Sequence, residues 1–274
     1  SNLTPLIRAS NMTGSPMLRV DLNCDMGESF GAWSMGADDE ILPYITSANI
    51  ACGYHAGDPA VMRRTVAAAV ARRVAVGAHP GLPDLVGFGR RAMEVTPDDV
   101  YDLVVYQVGA LRGFASAAGV ALQHVKPHGA LYNMAAVQPK LAEAIACAVR
   151  DVDRELVLYG LAGSHLISVG ERAGLTTASE AFADRNYLGD GTLVPRRRAD
   201  AMVSDADGAA RRAVRMVKES RVRSVDGADI AIRADTICIH GDSPRAVEFA
   251  RALRAALEAE EIEVGAMRRS ATGA

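Results

Sequence analysis

The sequence predicts an α/β fold, an irregular seven-stranded (β/α) barrel of the TIM-barrel kind, and three observations carry that expectation. Short apolar runs rich in Val, Ile and Ala alternate with longer stretches of helical period, the pattern of repeated β-α units on a parallel sheet. No internal repeat, low-complexity tract or linker interrupts the alternation. The first strand is followed by Cys24-Asp25-Met26-Gly27-Glu28-Ser29-Phe30-Gly31, too acidic and wrongly spaced for the G-x-G-x-x-G of a dinucleotide fold, which tips the choice from an open doubly wound sheet toward a closed barrel.

The elements follow in order. Residues 19–24 and 48–52 read as the first two strands. Asp58 then offers an N-cap and Pro59 the first helical position of a helix over 59–73, with alanines and arginines at helical spacing. A third strand is expected over 74–79. Gly87-Phe88-Gly89 follows Pro83 in a loop and leads to Arg90-Arg91, so it is not a phosphate-binding turn. Thr96-Pro97-Asp98-Asp99 opens a long helix to about residue 118, closed by Gly119. Strands over 124–126, 156–160, 177–182 and 236–240, with helices over 139–151, 204–219 and 243–259, complete the set; His165 sits in an apolar helix start. Residues 1–16 lack both an apolar signal core and any strand or helix period, so Met17 reads as the natural start and 1–16 as a disordered leader or cloning remnant. Residues 17–270 are then expected to form a single barrel domain.

A composition of 49% hydrophobic and 23% charged residues suits a globular protein with a sizeable core. A net charge of -3 leaves no electrostatic footprint for nucleic acid, and no run reaches the ~20 apolar residues of a membrane span. The four cysteines lack a C-x-x-C pair, and three lie in apolar strands where a reduced thiol acts as a small hydrophobe, which points to the cytoplasm.

Barrels carry their chemistry at the carboxyl ends of the strands, and here those ends are polar. Asp21, Asn23 and Asp25 share one strand face, with Glu28 just beyond. Asn49, Ala51, Gly53 and His55 are in phase if the extended conformation persists; His79 ends the third strand, and His124, Lys126 and His128 are again in phase. Glu180 and Arg185 follow at the sixth strand and His240 at the seventh. Any one histidine at a strand end is ordinarily structural, Asp58 and Asp242 read first as helix caps, and Lys126 could be a loop lysine; convergence from several strands is what argues for a shared polar mouth.

Asp21-Leu22-Asn23-Cys24-Asp25-Met26-Gly27-Glu28, Asn49-Ile50-Ala51-Cys52-Gly53-Tyr54-His55-Ala56-Gly57-Asp58, Gly77-Ala78-His79-Pro80-Gly81, Lys126-Pro127-His128-Gly129-Ala130-Leu131-Tyr132, Glu180-Ala181-Phe182-Ala183-Asp184-Arg185 and Ile239-His240-Gly241-Asp242 together resemble the LamB/YcsF family of 5-oxoprolinase A-type subunits, from about residue 18 to 264. The resemblance implies a seven-stranded barrel related to the glycoside hydrolase/deacetylase superfamily. It also implies ATP-dependent cleavage of 5-oxo-L-proline to L-glutamate with partner subunits B and C. Tyr54 stands where a Phe is common. On this reading Asp25 or His55 serves as general base, Lys126 with His128 neutralises negative charge, and Asp21, Asn23, Glu28, Asn49, His79, Glu180, Arg185 and His240 contact the substrate. No G-x-x-x-x-G-K-[ST] sequence is present, so ATP, with Mg2+, is expected to be handled through the complex, and no tightly bound metal is expected in this chain. Two rivals stay open: a metal-dependent deacetylase or amidohydrolase, for which Asp25, His55 and His79 are imaginable ligands, and a non-catalytic lactam-binding component.

Overall fold

The computed structural model describes residues 17–239, 241 and 245–269. Along the chain run β1 (Arg19–Met26), α1 (Asp38–Ile41), β2 (Ser47–Ala51), α2 (Pro59–Ala71), β3 (Ala75–His79), α3 (Pro97–Ala117), β4 (His124–Val125), α4 (Gly129–Val137), α5 (Pro139–Val152), β5 (Val157–Leu161), α6 (His165–Arg172) and β6 (Thr177–Phe182). Then come α7 (Ala206–Glu219), β7 (Arg221–Arg223), β8 (Asp229–Ala231), β9 (Thr236–Ile239), α8 (Ala246–Ala259) and β10 (Glu263–Val264).

Parallel pairing in the order β1-β2-β3-β4-β5-β6-β9 closes back on β1, giving the expected seven-stranded barrel. Each expected strand is present, the last as far as Ile239; its final residue His240, and the helix start at 243–244, lie outside the described residues. The closing register sets Asp21 beside Thr236 and Thr236 beside Glu180, so three strands contribute polar groups at one level. β4 is short, yet its ladder continues in extended chain, since the Lys126 and His128 N–H groups donate to the carbonyls of Ala78 and Pro80.

Local chemistry sets the helix starts. The Asp58 carboxylate accepts from the Ala60 and Val61 N–H groups ahead of Pro59, as expected. Thr96 and Asp99 form a reciprocal capping box on α3, and Asp205 accepts from the Gly208 N–H on α7. Strand alternation then sorts the side chains: Leu22, Ile50, Val76, Val125, Leu158 and Ile237 join the apolar cluster with Val104, Leu111, Ile145 and Leu253 of the surrounding helices. At about 1.5–3 kcal/mol per large side chain, this shell is the principal source of stability and leaves the barrel interior free to be polar.

The α1 and α4 helices, the β7–β8 hairpin and the short parallel β10 beside the start of β1 were not expected, whereas the helix start read at His165 is the head of α6. Short length explains the strands, and Gly129 at the head of α4, a poor helix former, conceals that helix.

Candidate active site

Inside the barrel a column of polar groups rises along the strand faces. At its closed end Asp21 is fully buried and accepts from the hydroxyls of Thr46, Ser47, Tyr159 and Thr236 at 2.6–2.9 Å. Burial raises its pKa while those four donors act to lower it. One step up, Asn23 donates to Thr236 Oγ1 at 2.7 Å, and Asn49 donates to Asn23 Oδ1 and Asp25 Oδ1 at 2.7 and 2.8 Å. His124 Nε2 lies 2.7 Å from Asn49 Oδ1, and its ring stacks on Tyr159. Burial, then the Lys126 charge, pushes His124 down to about 3.

Lys126 is the hub. Its Nζ lies 2.9 Å from Asp25 Oδ1, 2.8 Å from Glu180 Oε1 and 3.2 Å from Asn23 Oδ1. Burial alone disfavours the ammonium, but Asp25, Cys238 and Glu180 outweigh it and hold the pKa well above the ordinary lysine value, so Lys126 is a fixed cation and not a base. Tyr132, one turn into α4, donates its hydroxyl to Glu180 Oε2 at 2.7 Å.

These groups floor a cavity of about 480 Å³ whose walls include Asp25, Glu28, His79, Lys126 and His128, with Phe182 at one side and Arg90, Arg185 and Arg196 around it. That volume suits a small molecule. Arg185 is only 6% exposed and donates to the Val194 carbonyl at 2.7 Å.

Of the residues picked from sequence, Asp25, Glu28, His79, Lys126, His128 and Arg185 line the cavity; Glu180 touches it through Lys126; Asp21, Asn23 and Asn49 sit beneath. His240 lies outside the described residues. His55 reaches the site by another route than strand phase. β2 ends at Ala51, and the chain turns through Gly53 and Gly57, both at positive φ, to place the fully buried His55 ring behind the cavity wall. There it stacks on His128 with centroids 3.7 Å apart and meets His79 edge-on. Burial lowers the pKa of His55 well below the ordinary value and brings His128 to about 3, with neighbouring histidines adding to both effects. One carboxylate and three imidazoles, on Glu28, His55, His79 and His128, thus bring ligand atoms within 4.8 Å of one another. The aspartate–histidine set imagined from sequence differs from this one by Glu28 and His128 in place of Asp25.

The family model for LamB/YcsF matches residues 20–272. The chain belongs to the LamB/YcsF family. Among curated relatives, a protein of Bacillus licheniformis named as the A-type subunit of 5-oxoprolinase is 61% identical over 91% of this chain and 99% of its own length. One of the same name from Bordetella pertussis is 60% identical over 90% and 98%. A crystal structure of a lactam utilization protein from Thermus thermophilus superposes with a TM-score of 0.87 at 50% identity, covering 91% of this chain and 100% of that one.

In this LamB/YcsF barrel several site residues carried no role in the sequence reading: Tyr132, Phe182, Arg90 and Arg196. Tyr132 had a usable signal, four residues after His128 and therefore on the same face of the helix that follows. The loop with Gly87-Phe88-Gly89, set aside as a failed nucleotide motif, packs Phe88 edge-on against His55 and His128. Gly89 has φ +64°, and a Cβ there would come within 2.8 Å of both His55 Cβ and His128 Cδ2. Only glycine lets the loop approach the imidazoles so closely. Tyr54 stacks on Tyr106 with centroids 5.4 Å apart and is not in the cavity wall. No helix among the described residues is long and apolar enough to cross a membrane, and all four thiols are free.

Proposed function

We propose that this chain is the A-type subunit of a 5-oxoprolinase and that the cavity over Lys126 is where the lactam ring is opened. The observation that carries the reading is one buried ammonium held between two carboxylates, Asp25 and Glu180, on the floor of a small cavity beside arginines. The name shared by the curated relatives gives the reaction class, hydrolysis of a cyclic amide.

Arg185, desolvated and adjacent to Arg196, suits the carboxylate of 5-oxo-L-proline. The lactam carbonyl then lies toward Lys126, whose fixed positive charge stabilises negative charge on that oxygen, or on a phosphoryl group it carries, as the bond to nitrogen weakens. Asp25, whose side chain is 15% exposed where Glu180 is sealed, is the better placed base toward water. Water gives a proton to Asp25 and adds to the carbonyl carbon, the C–N bond breaks as the ring nitrogen takes that proton, any phosphoryl group on the oxygen leaves as phosphate, and L-glutamate results. His55, behind the wall, supports the imidazoles in front of it and does not take the water proton. ATP drives the opening of an unstrained amide; with no phosphate loop in this sequence, subunits B and C bring the nucleotide and its Mg2+, and the assembly works in the cytoplasm, with residues 17–270 of this chain as one barrel domain.

The test is reconstitution with both partner subunits, following glutamate release with and without ATP. Asp25→Asn is expected to lower turnover about 10²- to 10⁴-fold. Near-normal turnover in both Asp25→Asn and Lys126→Met would overturn the assignment.

A further inference from the structure

The imidazoles at the cavity wall face one another in a way that calls for a positive centre between them, an added proton or a metal ion. His79 Nδ1 lies 2.7 Å from the Lys126 carbonyl oxygen, and His128 Nε2 lies 2.8 Å from that of Phe88. A carbonyl only accepts, so each ring carries its proton on the nitrogen facing the carbonyl, and the opposite nitrogen, His79 Nε2 or His128 Nδ1, holds a bare lone pair. Those two nitrogens face each other at 2.9 Å. Two lone pairs at that separation repel unless a positive centre joins them. His55 adds a third ring, fully buried, with neither nitrogen hydrogen-bonded among the described residues and with Nε2 3.4 Å from Glu28 Oε1. The same carboxylate oxygen is 3.6 Å from His128 Nδ1.

We propose that Glu28, His55, His79 and His128 bind one divalent transition-metal ion of the Zn2+ class at the wall of the cavity. Donors about 2.0–2.1 Å from a tetrahedral metal stand roughly 3.3–3.4 Å apart. The separations of 2.9, 3.4 and 3.6 Å bracket that spacing, and with all four ligand atoms within 4.8 Å of one another, rotation of the stacked His55 and His128 rings toward a common centre would complete the shell. Three imidazoles and one carboxylate suit Zn2+, Co2+, Ni2+ or Fe2+, whereas Mg2+ and Ca2+ demand oxygen donors. The carbonyls of Lys126 and Phe88 fix the tautomers in the manner usual for metal-bound histidine. Glycines make the space: a Cβ at Gly81 would fall 2.6 Å from His55 Nδ1, and Gly89 lies against both His55 and His128. Asp25 Oδ2 stands 3.3 Å from His79 Nε2, so a metal here adjoins the base of the proposed function, rests on that reading and deepens it. Its occupancy is measured without substrate, so failure of either idea leaves the other standing.

Purified full-length chain is stripped with a chelator, checked by far-UV circular dichroism, and titrated separately with Zn2+, Co2+ and Mg2+. One equivalent of Zn2+ per chain by elemental analysis after desalting is expected, together with a Co2+ visible absorption band that Zn2+ abolishes and excess Mg2+ leaves intact. Glu28→Gln and His128→Gln should each weaken Co2+ affinity at least tenfold; Glu28→Gln, which keeps every imidazole, carries the test if His128→Gln does not fold. Less than a tenth of an equivalent in folded wild-type chain, displacement by Mg2+, or an unchanged Co2+ band and affinity in the folded variants would each overturn the site.

Discussion

Lys126→Met keeps most of the aliphatic stem and deletes the one positive charge between Asp25 and Glu180. At 2.8–2.9 Å and an effective dielectric of about 20, each contact is worth about 6 kcal/mol of Coulomb energy before desolvation is charged against it. Breaking a buried pair by removing one partner costs about 3–5 kcal/mol net, because the remaining charge stays buried. The triad holds one cation and two anions, so the three possible deletions are not equivalent. Glu180→Gln leaves a balanced Lys126–Asp25 pair but has one oxygen to serve both the Lys126 ammonium and the Tyr132 hydroxyl, so its cost should be about 1–3 kcal/mol. Lys126→Met with Glu180→Gln leaves only Asp25, the more exposed carboxylate, and should be less destabilised than Lys126→Met alone by at least about 1 kcal/mol. Urea denaturation of the three variants and wild type, read at constant slope, gives the cycle. If Lys126→Met costs no more than Glu180→Gln, or the two changes simply add, Lys126 is not the counter-charge that holds these carboxylates.

Three further outcomes follow from neighbouring contacts. Tyr132→Phe removes the hydroxyl donor from a buried carboxylate oxygen and should cost about 1–3 kcal/mol in urea denaturation; no change would mean that oxygen is satisfied elsewhere. Gly77 faces the His124 ring so closely that a Cβ would overlap it, and Gly77→Ala should destabilise by about 1–3 kcal/mol, seen as a lowered melting temperature. His124, held down to about 3 by burial and Lys126, stays neutral in the folded chain while the unfolded chain gains a proton below about pH 6.5; its contribution is therefore full above that pH and falls by about 2 kcal/mol at pH 5. His124→Gln should flatten that part of the stability–pH curve, and equal acid slopes in both proteins would count against it.

Alternation along a strand proved a reliable guide where the chain stays extended. Asp21, Asn23 and Asp25 do share the barrel interior, and His124, Lys126 and His128 do follow one another along it, because the ladder runs on past the two residues of β4. The same reasoning fails at His55, since two glycines at positive φ break the extended path and bring the ring to the cluster from behind. The arginines and Tyr132 come from loops and a helix whose approach is set by tertiary packing, for which a single sequence holds little signal. The metal donor set was missed for a related reason: its four ligands come from four separate segments, and no short H-x-x-x-H spacing announces them.

Phase also says nothing of depth, and depth is what separates two aspartates on one strand face. Asp21 has four hydroxyl donors from three other strands and the segment before β2, no cation beside it among the described residues, and no exposure; Asp25 has the Lys126 ammonium, an Asn49 donor and an opening to the cavity. The first set satisfies a carboxylate permanently, and the second leaves one able to exchange a proton with water. Asp21→Asn replaces one acceptor oxygen by a donor that now faces hydroxyls already oriented to give, at a cost of about 1–3 kcal/mol in stability. The folded fraction of Asp21→Asn should nevertheless turn over at a rate within a fewfold of wild type, while Asp25→Asn should fold normally and lose about 10²-fold or more in turnover. Measuring both variants for urea midpoint and for glutamate release in the assembled enzyme distinguishes the two roles. Should Asp21→Asn lose turnover as steeply as Asp25→Asn at equal folded concentration, the chemistry extends down the barrel to the sealed end, and the cavity floor at Lys126 is not its boundary.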